Sequence, residues 1–465
     1  MRRYAPVEPP TALSIAGSDS GGGAGIQADL KTMEAHGVFG TSVVTAITAQ
    51  NTLGVESSHV LPTDEIAAQY EAVAADFDVG AAKTGMLATV DVVETVTDCL
   101  GAYDGPVVVD PVMVAATGDR LLSPEAEAAY DELIARSTVV TPNADEATVL
   151  TDIEVDDETS AARAGKQLVD RGADAALVKG GHLGTDRVVD TLVIHAEDGY
   201  TVERFEHDRI DTDATHGSGC TLSSAIAARM ARGEPLGEAV AAGVSFMQRA
   251  VRYGIDVGQG PGAVHHLSAL RDRASYREIA GAVDAIESTL SAAVATGGAD
   301  VPQTVDLVGC GPYAEHHEEA IARRWTDDAD RGTDDADRRT DDADRRTDDA
   351  DRRTDDADRR TDDPQDTASV DSATIEALFS ARELEPTIRF AAGIPDGSAV
   401  EYPDSRLTEA ATQCILGGKS TEASAGVDVE VSAIEPIVVS DDETGTLYIL
   451  ARSGEGIEQV IRAIE

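Results

Sequence analysis

The chain has 465 residues, 42% of them hydrophobic, and 86 Asp and Glu against 37 Lys and Arg, a formal net charge of −49. That length exceeds one ordinary hydrophobic core, so two domains plus connecting material are expected. So acidic a balance excludes nucleic-acid binding, which needs basic footprints.

The acidic residues run through otherwise well-patterned helical segments. Salt-rich cytoplasm tolerates such a surface because salt screens its self-repulsion, and a halophilic source is expected. Cys99, Cys220, Cys310 and Cys414 are far apart and form no C-x-x-C pair. A reducing compartment is therefore expected, with neither a disulfide framework nor a structural zinc. The first ten residues, MRRYAPVEPP, contain no apolar core of a signal peptide, and no stretch approaches membrane-spanning length. The expectation is a soluble cytoplasmic protein with no membrane partner.

Residues 1–10 read as a tail. From 11 to about 271, short β-rich runs at 12–16, 42–50, 80–84, 107–109, 139–141, 175–178 and 188–195 alternate with helical patterns such as 64–76, 124–136 and 158–171. Near-continuous apolar strands in such alternation predict an α/β fold, a largely parallel sheet covered by helices on both faces. Ligands in such sheets sit at the carboxyl ends of strands.

The first strand leads into GSDSGGGAGIQADLKT, residues 17–32. Four glycines within 21–25 point to positive φ or to close approach of a ligand, the alternative being a flexible surface loop. Asp29 reads as opening the next helix, and Gln50 as ending a strand. A carboxylate and an amide at one rim can hydrogen-bond a nitrogen heterocycle. The alternatives are helix-dipole complementation for Asp29 and a solvated strand end for Gln50.

Asp110 follows VVV and precedes Pro111, at the end of a buried strand. Asn143 and Glu146, in TPNADEA, follow another strand. Three residues apart, they can share a helical face and hold a hydrated Mg²⁺, or form a helix cap. Lys179, in VKGGH, stands after a third strand, where an ammonium can meet nucleotide phosphates or simply face solvent. THGSGCT, residues 215–221, directly precedes an apolar helical run. Gly217 and Gly219 free the backbone to turn, and a helix start presents orphan N–H donors and the positive end of its dipole. Cys220 sits where a thiol can meet a reacting hydroxyl, the alternative being an ordinary loop-to-helix junction. Together these strand ends describe a Mg-nucleotide phosphotransferase.

Residues 272–300 read as helix and linker, with 291–299 the linker. A smaller α/β domain over 301–465 is interrupted at 326–366. That insert is a tandem repeat of TDDADRR, whose only apolar position is Ala, so it has no stripe to bury and is expected to be disordered. Beyond it, 375–383 reads as a helix, 387–392, 434–440 and 446–451 as strands, and 456–463 as a final helix. GGKST (417–421) has Gln413 where a P-loop needs its first glycine, and GCGPYA (309–314) lacks an acidic partner downstream; both read as turns.

The segments ALSIAGSDSGGGAGIQADLKT, TAITAQNTLGV, KTGML, VVVDPVM, TPNADEA, VKGGH, THGSGCTLSSAIAA and GPGAVHHL occur in this order. Through them the first 270 residues resemble the hydroxymethylpyrimidine/phosphomethylpyrimidine kinases of thiamine biosynthesis, within the ribokinase-like superfamily of three-layer sandwiches. The resemblance implies ATP-dependent phosphorylation of the hydroxymethylpyrimidine and then of its monophosphate, with ATP and Mg²⁺. It implies that Gly17, Asp29, Gln50 and Met86 line the pyrimidine pocket. Asp110, Asn143, Lys179 and Thr215 would serve the nucleotide, with Asn143, Glu146 and Asp110 about the metal. Gly217, Ser218, Gly219 and Cys220 would form the catalytic anion hole. The family usually has Thr where Ser218 stands, and related sugar kinases carry Asp where Cys220 stands. A helix N-terminus is expected to lower the Cys220 pKa. The partner is a small pyrimidine, and a homodimer is expected. Competing readings are a pyridoxal or pyridoxine kinase, and a non-catalytic sensor of thiamine intermediates.

More weakly, VDLVGCGPYAE (305–315), ARELEPTIRFAAGI (381–394) and the closing IVVSDDETGTLYILARSGEGIEQVIRAI resemble the thiamine-phosphate synthase domain often fused behind this kinase in archaea. That family carries a basic, glycine-containing loop between its last strands. Here the loop is SDDETG (440–445), acidic where a diphosphate wants positive charge. A degenerate domain is expected, with Arg389 either a phosphate contact or a strand-surface residue.

Overall fold

Runs such as Val107–Val109 and Ala175–Val178 are buried along their whole length, as strands covered on both faces must be. The computed structural model describes residues 8–113, 129–181, 187–196, 199–295, 303–314, 319–326, 372–384, 388–394, 437–441, 446–454 and 457. The chain divides into two compact units, 1–270 and 271–465. Most of the TDDADRR insert, the GGKST turn, the loop after Asp441 and nearly all of the expected final helix lie outside the described residues.

In the first unit nine strands form one sheet. They are β1 (Thr11–Ser18), β2 (Phe39–Asn51), β3 (Gly54–Val60), β4 (Val79–Thr84), β5 (Val107–Val109), β6 (Val139–Val140), β7 (Ala175–Val178), β8 (Arg187–Ala196) and β9 (Gly199–Asp208). Their spatial order is β3-β2-β1-β4-β5-β6-β7-β8-β9. The stretch from β2 to β7 is parallel, while β3, β8 and β9 pair antiparallel. The chain order reverses between β1 and β4, the crevice where such sheets bind ligands.

Helices α1 (Gly25–Ala35), α2 (Thr63–Ala74), α3 (Val90–Cys99), α4 (Tyr130–Ile134), α5 (Ala144–Thr151), α6 (Glu158–Asp170), α7 (Ser218–Ala231) and α8 (Leu236–Arg252) connect and cover the strands. The two-residue alternation of β5 shows the layering. Val107 and Val109 pack with Val93, Val96 and Leu133 of α3 and α4, while Val108 packs with Leu222, Ile226 and Val240 of α7 and α8.

The second unit is built on α9 (Ser268–Ala295). The segment read as a linker is helical as far as Ala295, because Ile279, Val283, Ile286 and Leu290 recur on one face and are buried. They pack on a sheet of β10 (Thr304–Cys310), β11 (Ala320–Thr326), β12 (Phe390–Ile394), β13 (Ile437–Asp441) and β14 (Thr446–Ala451). Its order is β11-β10-β12-β14-β13, with every pairing antiparallel. Leu378 and Ala381 of α10 (Ser372–Leu384) pack with Val308 and Leu450 from the same sheet.

Candidate active site

A cavity of about 580 Å³ lies at the carboxyl ends of β1 and β4–β7, within the usual range for small-ligand sites. Gly17, Gln50, Met86, Asp110, Asn143, Glu146, Lys179, Thr215, Gly217, Ser218, Gly219 and Cys220 all line it. Gly17 and Met86 face each other across the β1/β4 crevice. A Cβ on Gly17 would lie 3.1 Å from the Met86 sulfur, so glycine sets the width of this slot.

Asp29 is the exception among the expected site residues, and the expectation is corrected. It lies one turn inside α1 on the buried face, with no exposed surface, and is absent from the cavity wall. Its Oδ1 accepts from Ser224 Oγ (2.6 Å), its Oδ2 from Ser14 Oγ (2.6 Å), and both oxygens from Lys83 Nζ at 2.9 Å. The carboxylate neutralises a buried lysine. Lys83, on β4, reaches the cavity wall itself. Burial would lower its pKa, but Asp29, Cys220 and Asp110 raise it above the ordinary lysine value.

The carboxylate that organises the glycine loop is Asp19. Its Oδ1 accepts the Gly21 amide (2.8 Å), and its Oδ2 accepts the amides of Gly23 (2.9 Å) and Ala24 (2.8 Å) and His216 Nε2 (3.1 Å). Burial works against this charge, yet the His216 contact and the Ala24 and Gly21 amides hold the carboxyl below its ordinary pKa. The same His216 nitrogen lies 3.4 Å from the Gln50 amide nitrogen, so the end of β2 comes close to the Thr215–Gly217 segment.

Past β5, the 2%-exposed Asp110 is joined by Lys179 Nζ at 3.2 Å. Burial would lower the Lys179 pKa, but Asp110 and Glu146 raise it, so the ammonium is retained. Asn143 and Glu146 form a reciprocal cap on α5. Asn143 Oδ1 accepts the Glu146 amide and Glu146 Oε2 accepts the Asn143 amide, each at 2.8 Å. Burial, with Asp110 adding and Lys179 opposing, pushes the Glu146 carboxyl up to about 7. Among the described residues no three His, Cys, Asp or Glu side chains form a metal cage.

The anion turn is shaped by glycine. Gly217 has φ +84°, and a Cβ there would fall 1.9 Å from the Gly23 carbonyl oxygen. Backbone thus packs on backbone between the two glycine-rich loops. The Ser218 amide donates to the Thr215 carbonyl at 3.1 Å. The amides of Gly217, Gly219 and Cys220 stand at the start of α7, where a helix offers its donors no intrahelical acceptors. A Cβ on Gly219 would lie 3.3 Å from Lys179 Nζ and 3.6 Å from Asp110 Oδ2, so the turn abuts this ion pair.

Cys220 corrects the second expectation. Burial pushes its thiol up to about 11, with Asp29 and Asp110 adding to the rise. Lys83 and an amide hydrogen bond from Gly25 oppose this without cancelling it. The helix N-terminus does not make Cys220 a thiolate at neutral pH.

Sequence reasoning missed Asp19, His216 and Lys83. Asp19 carried a signal, since an Asp two residues before a glycine run commonly caps that loop's amides. Lys83 carried a weaker one, a charge inside the otherwise apolar GAAKT strand.

The model of the family described as phosphomethylpyrimidine kinase matches residues 19–265. The hydroxymethylpyrimidine/phosphomethylpyrimidine kinase of Streptomyces coelicolor is 47% identical over 266 residues, covering 57% of this chain and 97% of that protein. The ADP complex of Bacillus subtilis pyridoxal kinase superposes with a TM-score of 0.52 at 35% identity, covering 57% of this chain and 99% of that one. Staphylococcus aureus pyridoxal kinase with AMP-PCP and pyridoxal gives 0.52 at 31% identity, over 57% and 96%. On this match, and on an ordered set of strand-end residues around one cavity, the chain belongs to the phosphomethylpyrimidine kinase family.

Proposed function

We propose that the first unit transfers the γ-phosphoryl group of ATP to a hydroxymethylpyrimidine, and then to its monophosphate to give the diphosphate. The observation that carries this reading is the meeting of Lys179, Asp110 and the Gly219 turn at one point of the cavity, with Cys220 beside it. The substrate hydroxyl, or in the second transfer an oxygen of the monophosphate, attacks the γ-phosphorus; the bond to the bridging oxygen breaks, ADP leaves, and the hydroxyl proton is released to solvent. Phosphoryl transfer draws mainly on positioning and charge stabilisation. Lys179 and the amides of Gly217, Gly219 and Cys220 supply that charge. With its thiol neutral, Cys220 positions the hydroxyl by hydrogen bonding and does not take its proton. Gly17, Met86 and Gln50 hold the ring.

Asp110 and Glu146 would hold Mg²⁺, with Asn143 alongside. The ion, when bound, neutralises phosphate charge. The raised Glu146 pKa reports a buried carboxyl short of positive charge, which fits a cation-binding role. Purified enzyme given hydroxymethylpyrimidine and pyridoxal in parallel with ATP tests the reading. A kcat/KM at least tenfold higher for the pyrimidine supports it, and the reverse order favours a pyridoxal kinase.

For the second unit we infer a diverged thiamine-phosphate synthase domain without synthase activity, on the sequence resemblance and the acidic SDDETG segment. Full-length protein supplied with the pyrimidine diphosphate and thiazole phosphate is expected to form no thiamine phosphate. A cytoplasmic, homodimeric enzyme from a halophile completes the proposal, and sedimentation in high salt checks the oligomer.

A further inference from the structure

Along the cavity wall from Lys179, the β8–β9 hairpin contributes a polar corner that the transfer chemistry does not use. Val188 pairs opposite His207 and Asp190 opposite Phe205, so alternation puts Val188, Asp190 and His207 on one face, and all three line the cavity. Asp190 is 2% exposed. Its Oδ1 accepts the Gly180 amide at 2.8 Å, while its Oδ2 is buried with no hydrogen-bond partner among the described residues. His207 repeats the pattern: Nδ1 contacts the Asp208 carbonyl at 3.2 Å, and Nε2 is buried with no partner among the described residues.

Leaving a buried carboxylate oxygen and a ring nitrogen unpaired is unfavourable, so two such atoms on one wall of a ligand cavity mark where a ligand completes the bonding. The corner is within electrostatic reach of Lys179: burial raises the Asp190 pKa, and His207 and Lys179 act against that rise. Lys179, Asp190 and His207 line the same cavity, so one elongated ligand can meet all three. It must offer hydrogen-bond donors to Oδ2 and pair with an imidazole nitrogen. Vicinal hydroxyls do both.

We propose that Asp190 Oδ2 and His207 Nε2 hold the ribose hydroxyls of the nucleotide, so that the site selects ribonucleotides over deoxyribonucleotides. This rests on the reading of the cavity as a nucleotide site.

Calorimetric titration of the full-length protein with ADP, 2′-deoxyADP, 3′-deoxyADP and purine riboside diphosphate tests it apart from turnover. At least one deoxy analogue is expected to bind about tenfold or more weakly than ADP, the scale of a hydrogen bond to a charged group. Asp190→Asn keeps an oxygen for the Gly180 amide and replaces the cavity-facing acceptor. It should weaken ADP binding and bring the ADP-to-deoxyADP ratio towards one. His207→Phe provides the same ratio test should Asp190→Asn fail to fold.

Equal affinities in the wild type, or an unchanged ratio in both variants, overturns the inference. So does a penalty seen only with purine riboside diphosphate, which would assign the corner to the exocyclic amine of the base. Pyrimidine phosphorylation with a ratio of one refutes this inference alone. Ribose selectivity without pyrimidine phosphorylation upholds it and refutes the kinase reading. Absence of ADP binding refutes both.

Discussion

Lys83 Nζ lies 2.9 Å from both carboxylate oxygens of Asp29, with both side chains fully buried, so β4 and α1 are joined by an ion pair beneath the cavity. Ser14 and Ser224 add β1 and α7 to the same carboxylate. Four elements that border the cavity therefore converge on one buried charge.

Removing one partner of such a pair strands the other. Lys83→Met is expected to destabilise the first unit by about 3–5 kcal/mol. The single tryptophan, Trp325, lies in the second unit and provides a separate probe. The far-UV circular dichroism transition should fall to lower urea while the Trp325 fluorescence transition stays in place. Equal stability of the variant would show that the pair has no structural weight.

Glu146 gives a pH signature with a defined sign. Its carboxyl titrates at about 7 in the folded chain against an ordinary value of 4.5. Its contribution to stability is complete below about pH 4.5 and is lost as pH rises through 7. Without divalent cations, Glu146→Gln should thus be more stable than wild type at pH 8, by up to about 3 kcal/mol, with the gain vanishing near pH 4.5. Thermal unfolding at the two pH values decides it, and a variant less stable at pH 8 contradicts the buried-carboxyl account.

A thiol at about 11 is protonated throughout the neutral range. Alkylation of Cys220 by iodoacetamide, followed by peptide mass analysis, should be slow from pH 6 to 9 and accelerate only above pH 10. Cys220→Ala should slow turnover strongly while leaving pyrimidine affinity within a fewfold of wild type. An alkylation midpoint near pH 7 would restore the thiol as a general base.

Gly217 combines φ +84° with a Cβ position 1.9 Å from a backbone oxygen, so nothing flexible can give way. Gly217→Ala should abolish measurable turnover and cost at least about 1–2 kcal/mol of stability. Gly17→Ala meets only the mobile Met86 thioether at 3.1 Å, and should raise the pyrimidine KM severalfold in a folded enzyme. Comparable activity of both variants would refute the distinction.

The parallel core strands, the glycine turns and the strand-end placement of Asp110, Asn143, Lys179 and Cys220 were legible because each depends on neighbours in sequence. Asp29 was misread because its fate depends on Lys83, 54 residues away and inside an apolar strand. The Cys220 pKa was misread because a helix N-terminus is visible in sequence whereas burial is not. Asp190 and His207 meet only through the register of the β8–β9 hairpin, which no local pattern encodes.

The central claim is successive phosphoryl transfer to a pyrimidine. Phosphorus-31 NMR of products formed by the full-length protein from hydroxymethylpyrimidine, ATP and Mg²⁺ in high salt tests it most directly. A monophosphate resonance that gives way to the coupled doublets of a diphosphate ester is the expected result. No phosphate ester resonance beyond those of ATP and ADP, with the pyrimidine left unchanged, would contradict it.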